Sequence, residues 1–402
     1  MAGKGKTTQT AVSEYNRSSV LEYLYANGVC SRAQLADALS LTPAALTKIS
    51  ARLIESGIIK ETGGIVGRKN RRSIGLSFVE DRFHVIGVKF ARSLVQIGVF
   101  DLKGNALRVT SLPDVTDDTI DDAVDGVHRT VSALLEDDPD VVAVGMAVPG
   151  PYLRTVGRTA LVSFMQSWSK VEFIDEFGSA FRVPVFIEQD ARAGALAQRL
   201  FSNGPTGDNL AYYLLGEGIG LGVIDHGGLV NGALGAATEI GHVSIDVHGR
   251  KCDCGNVGCL ERYCSAVAIH DDLVKDGSLV PGAKDMSHRD ACAALFRAAK
   301  NGDERAQAKV DDIGRYVGYG CVTIINAYNP DVIVLGDIIS QAGPRLLTAA
   351  QSVVAERVLP VLRNSTDIRL SDLPADATIL GAAAVAISNF LEHPSNFLAP
   401  SE

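Results

Sequence analysis

The chain has 402 residues, of which 46% are hydrophobic and 21% charged. That composition excludes a disordered chain, and the length suits two or three domains. The formal net charge of -9 would exclude nucleic acid as a partner if it were evenly spread, but residues 1–75 carry eleven Lys/Arg against five Asp/Glu, leaving -15 for the remainder. A +6 segment joined to an acidic body points to one part that faces DNA or a membrane surface. No apolar run approaches the ~18 residues of a membrane span. The opening MAGKGKTTQT lacks the apolar core of a signal peptide. A cytoplasmic location with no membrane partner is therefore expected.

In chain order, residues 1–14 are small and polar and are expected to be disordered. From Asn16 a helical pattern sets Val20, Leu21 and Leu24 on one face until Gly28 ends it. Ser31 reads as the N-cap of a short helix, SRAQLADAL, with Gln34 completing a capping box. A third helix starts at Leu41 and Thr42 with Pro43 in its first turn, and Leu46, Ile49, Leu53 and Ile54 form its inner face. After Gly57, Ile58 and Ile59 read as a short strand, GGIVGRKN as a turn and RRSIGLSF as the partner strand. Three short helices and a hairpin make a winged helix-turn-helix over 15–78. The outward residues of the third helix include Thr42, Ala44, Thr47, Lys48 and Arg52, which suit base edges and phosphates. Arg68, Lys69, Arg71 and Arg72 crowd the wing, suited to backbone or minor-groove contact. A solvated basic hairpin is the plainer alternative, but the run directly follows the helix-turn-helix pattern. Double-stranded operator DNA is the expected partner.

Beyond Phe83, strand-like runs (VIGVKF, VQIGVFD, VVAVGMAVP, VPVFIEQD, NLAYYLLGEGIGLGVI, DVIVLG) mix with helical stretches at 118–136 and 171–181, which indicates α/β architecture. VFDLKGN fits a hairpin turn, so part of the sheet is antiparallel. Seven cysteines are an odd number for disulfides, and four of them fall within thirteen residues. Cys252, Cys254 and Cys259 have the spacing C-x-C-x4-C, with Gly255 and Gly258 between them to turn three sulfurs inward. Three thiolates and one imidazole select a closed, structural zinc site. His242 can supply the imidazole; His248 and Cys264 compete for the fourth place by proximity.

ATEIGHVSID followed by KCDCGNVGCLE resembles the signature of the ROK family of sugar-responsive repressors and sugar kinases, E-x-G-H then C-x-C-G-x-x-G-C-x-E. VGMAVPGPY, FIEQDARAGALAQ, LLGEGIGLGVI, VIVLGDI and ILGAAAVA resemble further segments of that family, so the likeness runs from about Asn16 to about Phe390. It implies an actin-like, ribonuclease H-like two-lobed sugar kinase fold over 79–402. Lobe 1 would take 79–195 plus the C-terminal helix 380–402, and lobe 2 would take 196–379. It implies zinc on His242, Cys252, Cys254 and Cys259, and sugar contacts from Glu239, His242 and Glu261. Asp190 stands at the kinase base position, where a repressor can keep it as a sugar contact, and Gln189 replaces the family's Asn before it. Arg192 replaces a second Asn and finds no place in that pattern.

Where the kinases carry D-x-G-G-T, this chain has Lys89, Ala91, Arg92 and Ser93, and Glu217 replaces a Thr in the second phosphate loop. The acid that organises Mg²⁺ is lost, and side chains fill a turn that must approach phosphate closely. The expected function is thus a sugar-responsive transcriptional regulator, a repressor that is not an enzyme. Its effector would be a sugar or sugar phosphate and its assembly a homodimer or homotetramer. An ATP-dependent sugar kinase with an appended DNA-binding head is the alternative, and a DNA binder with a vestigial body is a third reading.

Overall fold

A computed structural model of the chain describes residues 9–66, 72–91, 94–160, 166–204, 207–373 and 377–397. The head opens with α1 (Gln9–Asn27), so helix occupies positions 9–14, where the composition suggested disorder. The strand β1 (Cys30–Ser31) leads into α2 (Arg32–Ala38), and the Ser31–Gln34 capping box is formed reciprocally. The helix α3 (Pro43–Glu55) starts at Thr42, whose hydroxyl accepts the Ala45 N–H. It buries Leu46, Ile49 and Leu53. The wing strands are β2 (Ile59–Val66) and β3 (Arg72–Phe78), paired antiparallel. The GGIV segment, read from its glycines as turn, belongs to β2, because a register shift between Thr62 and Gly64 absorbs the extra residue.

Lobe 1 contains β4 (His84–Phe90), β5 (Val95–Asp101), β6 (Ala106–Ser111), α4 (Ile120–Asp137) and β7 (Val141–Val148). It continues with the ribbon β8 (Tyr152–Leu153) and β9 (Arg158–Thr159), then α5 (Phe173–Phe177) and β10 (Val185–Gln189). The helix α5 fills only part of the stretch 171–181 expected to be helical. The sheet order is β10-β7-β4-β5-β6, antiparallel across β4, β5 and β6 and parallel across β4, β7 and β10. The helix α6 (Asp190–Phe201) then crosses over to the second sheet.

Lobe 2 contains β11 (Leu210–Leu215), β12 (Ile219–Asp225), β13 (Gly228–Leu229), α7 (Glu261–Cys264), α8 (Ala266–Asp276), α9 (His288–Lys300) and α10 (Glu304–Tyr328). It ends with β14 (Val332–Gly336), α11 (Pro344–Arg357), α12 (Pro360–Arg363) and β15 (Asp367–Leu370). Its sheet order, β13-β12-β11-β14-β15, repeats lobe 1 strand for strand in position and direction. The chain therefore duplicates one topology. The final helix α13 (Ala377–Glu392) returns to lie on β4 and β7, while α6 lies on β11 and β12. Between them, α6 packs against α13, so the two helices form the layer that joins the sheets.

These crossovers are close. A Cβ at Gly145 of β7 would stand 2.0 Å from the Ala382 carbonyl oxygen of α13, and one at Gly222 of β12 would stand 2.3 Å from that of Ala191 in α6. Only glycine allows helix and sheet to meet at such distances. The head is not a separate bead. Val20, Leu21, Leu24 and Phe78 share one apolar core with Val85, Phe100, Ala383 and Phe390. Glu14 accepts from the Ser395 backbone N–H at 3.0 Å, and Lys103 donates to the Tyr25 carbonyl at 3.0 Å. Head and lobe 1 thus form one packed body.

Candidate functional site

On the head, Thr42, Ala44, Thr47, Lys48 and Arg52 are all exposed on the outer face of α3. The Thr47 hydroxyl donates to the Pro43 carbonyl at 2.8 Å, which leaves its oxygen free to accept. Arg68, Lys69 and Arg71 lie outside the described residues, and Arg72 begins β3. The position of α3 is fixed by Arg32, which donates to the buried Ser50 hydroxyl at 3.1 Å and pairs with Glu61 of β2 at 2.8 Å. The sequence reading missed this tie, because it joins three elements and has no local signature.

Between the lobes lies a cleft of about 300 Å³. Strand ends build it: Lys89 from β4, Pro149 and Gly150 after β7, and Gln189 and Asp190 where β10 becomes α6. The opposite wall brings Glu217, Gly218, Glu239, His242, Glu261 and Asp337. A crevice at the carboxyl ends of parallel strands is the usual ligand position in open α/β sheets. All five residues expected to contact sugar (Gln189, Asp190, Glu239, His242, Glu261) line this one cleft.

Gln189 is 5% exposed, and its Oε1 has no hydrogen-bond partner among the described residues. Asp190 opens α6, and its Oδ1 accepts the Ala191 N–H at 2.7 Å. Burial raises its carboxyl to about 6 against the pull of that N–H and of Lys89. Burial, then the Asp190 and Glu261 charges, push Glu239 up to about 8. Glu261 Oε2 accepts the Ile219 N–H at 3.1 Å. Such a wall offers hydroxyl acceptors, some of them protonated donors near neutral pH, and suits a polyol.

Behind the cleft, the His242, Cys252, Cys254 and Cys259 ligand atoms all lie within 4.8 Å of one another and could hold a metal ion. Cys252 Sγ is 3.8 Å from His242 Nδ1, and Cys254 Sγ is 3.7 Å from Cys259 Sγ. A tetrahedral ion with bonds of ~2.3 Å to sulfur has edges of about 3.8 Å, so the donors fit the geometry. Burial and the neighbouring sulfurs raise the Cys259 thiol to about 12. A cation is what would keep such a set deprotonated. The two competitors for the fourth place point elsewhere. Cys264 is fully buried and bonds the Leu260 carbonyl, and His248 is exposed outside the cluster.

Two residues gained a place only in three dimensions. Arg192 is buried and forms a bidentate pair with Glu188, at 2.8 Å and 3.2 Å. It also donates to the Val230 carbonyl and to Asn231 Oδ1, tying β10 of lobe 1 to lobe 2. Asp337, following β14, adopts φ 71° and ψ -159°, a region left almost entirely to glycine. The sequence carried a signal for Asp337 only as a strand-end acid, since the backbone angle is invisible there.

The sequence profile of winged helix-turn-helix DNA-binding domains matches residues 14–60. The chain is 29% identical over 390 residues to the xylose repressor of Bacillus spizizenii, covering 96% of this chain and 98% of that protein. It is 30% identical over 384 residues to the DNA-binding transcriptional dual regulator NagC of Escherichia coli, covering 93% and 92%. Among solved structures, a ROK family transcriptional regulator described as a homologue of the E. coli MLC protein superposes with a TM-score of 0.79 at 26% identity, over 96% of this chain and 99% of that one. A ROK family glucokinase from Streptomyces griseus, in complex with glucose and AMPPNP, gives a TM-score of 0.65 at 25% identity, over 75% and 99%. The two duplicated lobes are therefore the actin-like sugar kinase fold, preceded by a winged helix-turn-helix. With the profile of the ROK family matching residues 85–389, the chain belongs to the ROK family.

Proposed function

We propose that the chain is a sugar-responsive DNA-binding transcriptional regulator, a repressor of carbohydrate uptake or catabolism genes. One observation carries the reading: a helix-turn-helix with an exposed polar and basic outer face shares a core with one lobe of a carboxylate-lined cleft that suits a polyol. The names of the relatives that match over nearly the whole chain, a xylose repressor and a DNA-binding transcriptional dual regulator, support it.

In this reading a homodimer, alone or paired into a homotetramer, presents two copies of α3 to a pseudo-palindromic operator. Thr42, Ala44, Thr47, Lys48 and Arg52 read base edges and phosphates, and Arg68, Lys69, Arg71 and Arg72 of the wing hold the backbone. Sugar hydroxyls donate to Gln189, Asp190, Glu239 and Glu261, and His242 adds its Nε2, since Nδ1 faces the thiols. Zinc on His242, Cys252, Cys254 and Cys259 would be structural, neutralising the thiolates and fixing the loop that carries the imidazole. Lobe 1 is packed against the head, so a sugar gripping both lobes favours one spacing of the heads. Differential affinity for the two arrangements suffices for regulation.

Two features argue against phosphoryl transfer: Lys89 in place of the acid that would organise Mg²⁺, and Glu217 in the second phosphate loop. One observation favours the kinase alternative, the cleft position of Asp190 with its carboxyl raised to about 6, suited to a base. A thermal-shift screen of pentoses, hexoses and N-acetylhexosamines, followed by operator binding with each hit, tests the regulator. A sugar that stabilises the protein and alters DNA affinity supports it; a broad panel with no stabilising sugar contradicts it. ATP-dependent turnover abolished by Asp190→Asn would establish the kinase instead.

A further inference from the structure

We infer that the inner half of the cleft has been rebuilt around Asp337 to reject phosphate, so that the ligand is an uncharged sugar rather than a sugar phosphate or a nucleotide. The inference rests on the reading of the cleft as a sugar site and names the class of sugar it takes.

The turn between β11 and β12, Gly216–Gly218, brings Glu217 and Gly218 to the cleft wall. Its backbone is tied at both ends. Gly216 N–H donates to the Gly218 carbonyl at 3.0 Å, and the next residue, Ile219, donates to Glu261 Oε2 at 3.1 Å. The carboxylate of Asp337 lies on the same turn: its Oδ2 stands 2.7 Å from where a Gly216 Cβ would be. The residue is held there at φ 71° despite the backbone cost of such angles outside glycine. A strained conformation that aims a carboxylate onto a ligand loop has to be sustained by its surroundings, and these do so. Arg289 stands 3.7 Å from Asp337 Oδ1, and Lys89 faces it across the cleft. His288 holds the turn's own Glu217 at 3.0 Å.

Among the described residues of the cleft wall, Asp114, Asp190, Glu217, Glu239, Glu261 and Asp337 stand against Lys89 and Arg289. The cations therefore meet acids already in place, and even with Glu239 protonated near neutral pH a phosphate dianion entering the cleft would meet an excess of negative charge. The hydrogen-bond inventory agrees. The side chain of Asp337 is 10% exposed, and its Oδ1 accepts no hydrogen bond among the described residues. Gln189 Oε1, buried in the same cleft, is likewise an acceptor without a donor. Acceptors that lack a hydrogen-bond donor are satisfied by hydroxyls. The phosphate group of an ester brings acceptors only, where the hydroxyl it replaces would bring a donor.

The test uses the full chain, and the variants Asp337→Gly, which suits the backbone angle, and Asp337→Asn, which keeps the shape and removes the charge. Calorimetric titrations with glucose, xylose and N-acetylglucosamine, with glucose 6-phosphate and N-acetylglucosamine 6-phosphate, and with tripolyphosphate give the affinities. The wild type is expected to bind a free sugar and to bind its phosphate ester at least about tenfold more weakly. In both variants the ratio of ester to free-sugar affinity should rise about tenfold or more, with tripolyphosphate binding appearing alongside. A wild-type preference for an ester overturns the inference, as does an unchanged ratio in both variants. If no sugar binds in either form, the sugar reading fails. The tripolyphosphate arm then judges Asp337 by itself: binding gained in the variants supports its role, and none gained overturns it.

Discussion

Arg192 joins Glu188 of β10 to the Val230–Asn231 segment, and its replacement by Met should be among the most damaging single changes outside the apolar core. The Arg192 and Glu188 side chains are 1% and 4% exposed and meet through two hydrogen bonds at 2.8 Å and 3.2 Å. Methionine matches much of the stem and removes the charge, leaving Glu188 buried with Arg154, itself 51% exposed, as a distant partner at 3.5 Å. Removing one member of a buried pair costs about 3–5 kcal/mol, because the survivor keeps its desolvation penalty. The Val230 carbonyl also loses its Arg192 donor, at about 1 kcal/mol where water does not replace it, while Asn231 Oδ1 keeps Arg154 at 3.3 Å. Glu188→Gln with Arg192→Met removes both charges, so the double variant should recover about 2 kcal/mol or more relative to the sum of the singles. Urea unfolding followed by far-ultraviolet circular dichroism measures all four proteins. Additive effects, or a cost for Arg192→Met below about 1 kcal/mol, would refute the claim that this pair is buried, paired and central to the join between β10 and the Val230–Asn231 segment.

Further expectations concern each part of the site. Lys48→Ala and Arg52→Ala should weaken operator binding and each lower the slope of log affinity against log salt by about 0.9; unchanged slopes would remove α3 from the interface. Cys254→Ser should lose zinc, read by elemental analysis, and lower the melting temperature; full metal content would remove Cys254 from the ligand set. Burial lifts the folded-state carboxyl of Asp190 to about 6. Its contribution to stability is therefore present below the ordinary carboxylate pKa and lost as pH rises through about 6. Asp190→Asn should raise the melting temperature more at about pH 8 than at about pH 4.5, and an equal effect at both would contradict the burial.

What was legible in the sequence was what local rules encode. The capping box at Ser31 and Gln34, the helix start at Thr42 and the β5–β6 hairpin depend on neighbours a few residues apart, and each is where its pattern puts it. The cysteine cluster was legible because three of its ligands lie within eight residues, with His242 only ten upstream of Cys252. The proposed sugar contacts were legible only through likeness to a family, since Gln189, Glu239 and Glu261 come from separate elements that share no spacing rule. The duplicated topology was hidden because the two lobes share strand order and not sequence period. The wing's GGIV read as turn on glycine content, and pairing with β3 overrode that preference. Arg192 and Asp337 were opaque for a different reason: one is explained by a partner loop 38 residues away, the other by a backbone angle.

The central claim, that sugar in the cleft and DNA on the head bias one equilibrium, is tested most directly by thermodynamic linkage. The measurement is operator affinity by fluorescence anisotropy across a titration of a stabilising sugar, with sugar affinity measured calorimetrically in the presence and absence of the operator. Coupling of about 1–3 kcal/mol is expected, with the sugar changing operator affinity by the same factor as the operator changes sugar affinity. Operator affinity that stays constant while the cleft is saturated would contradict the account.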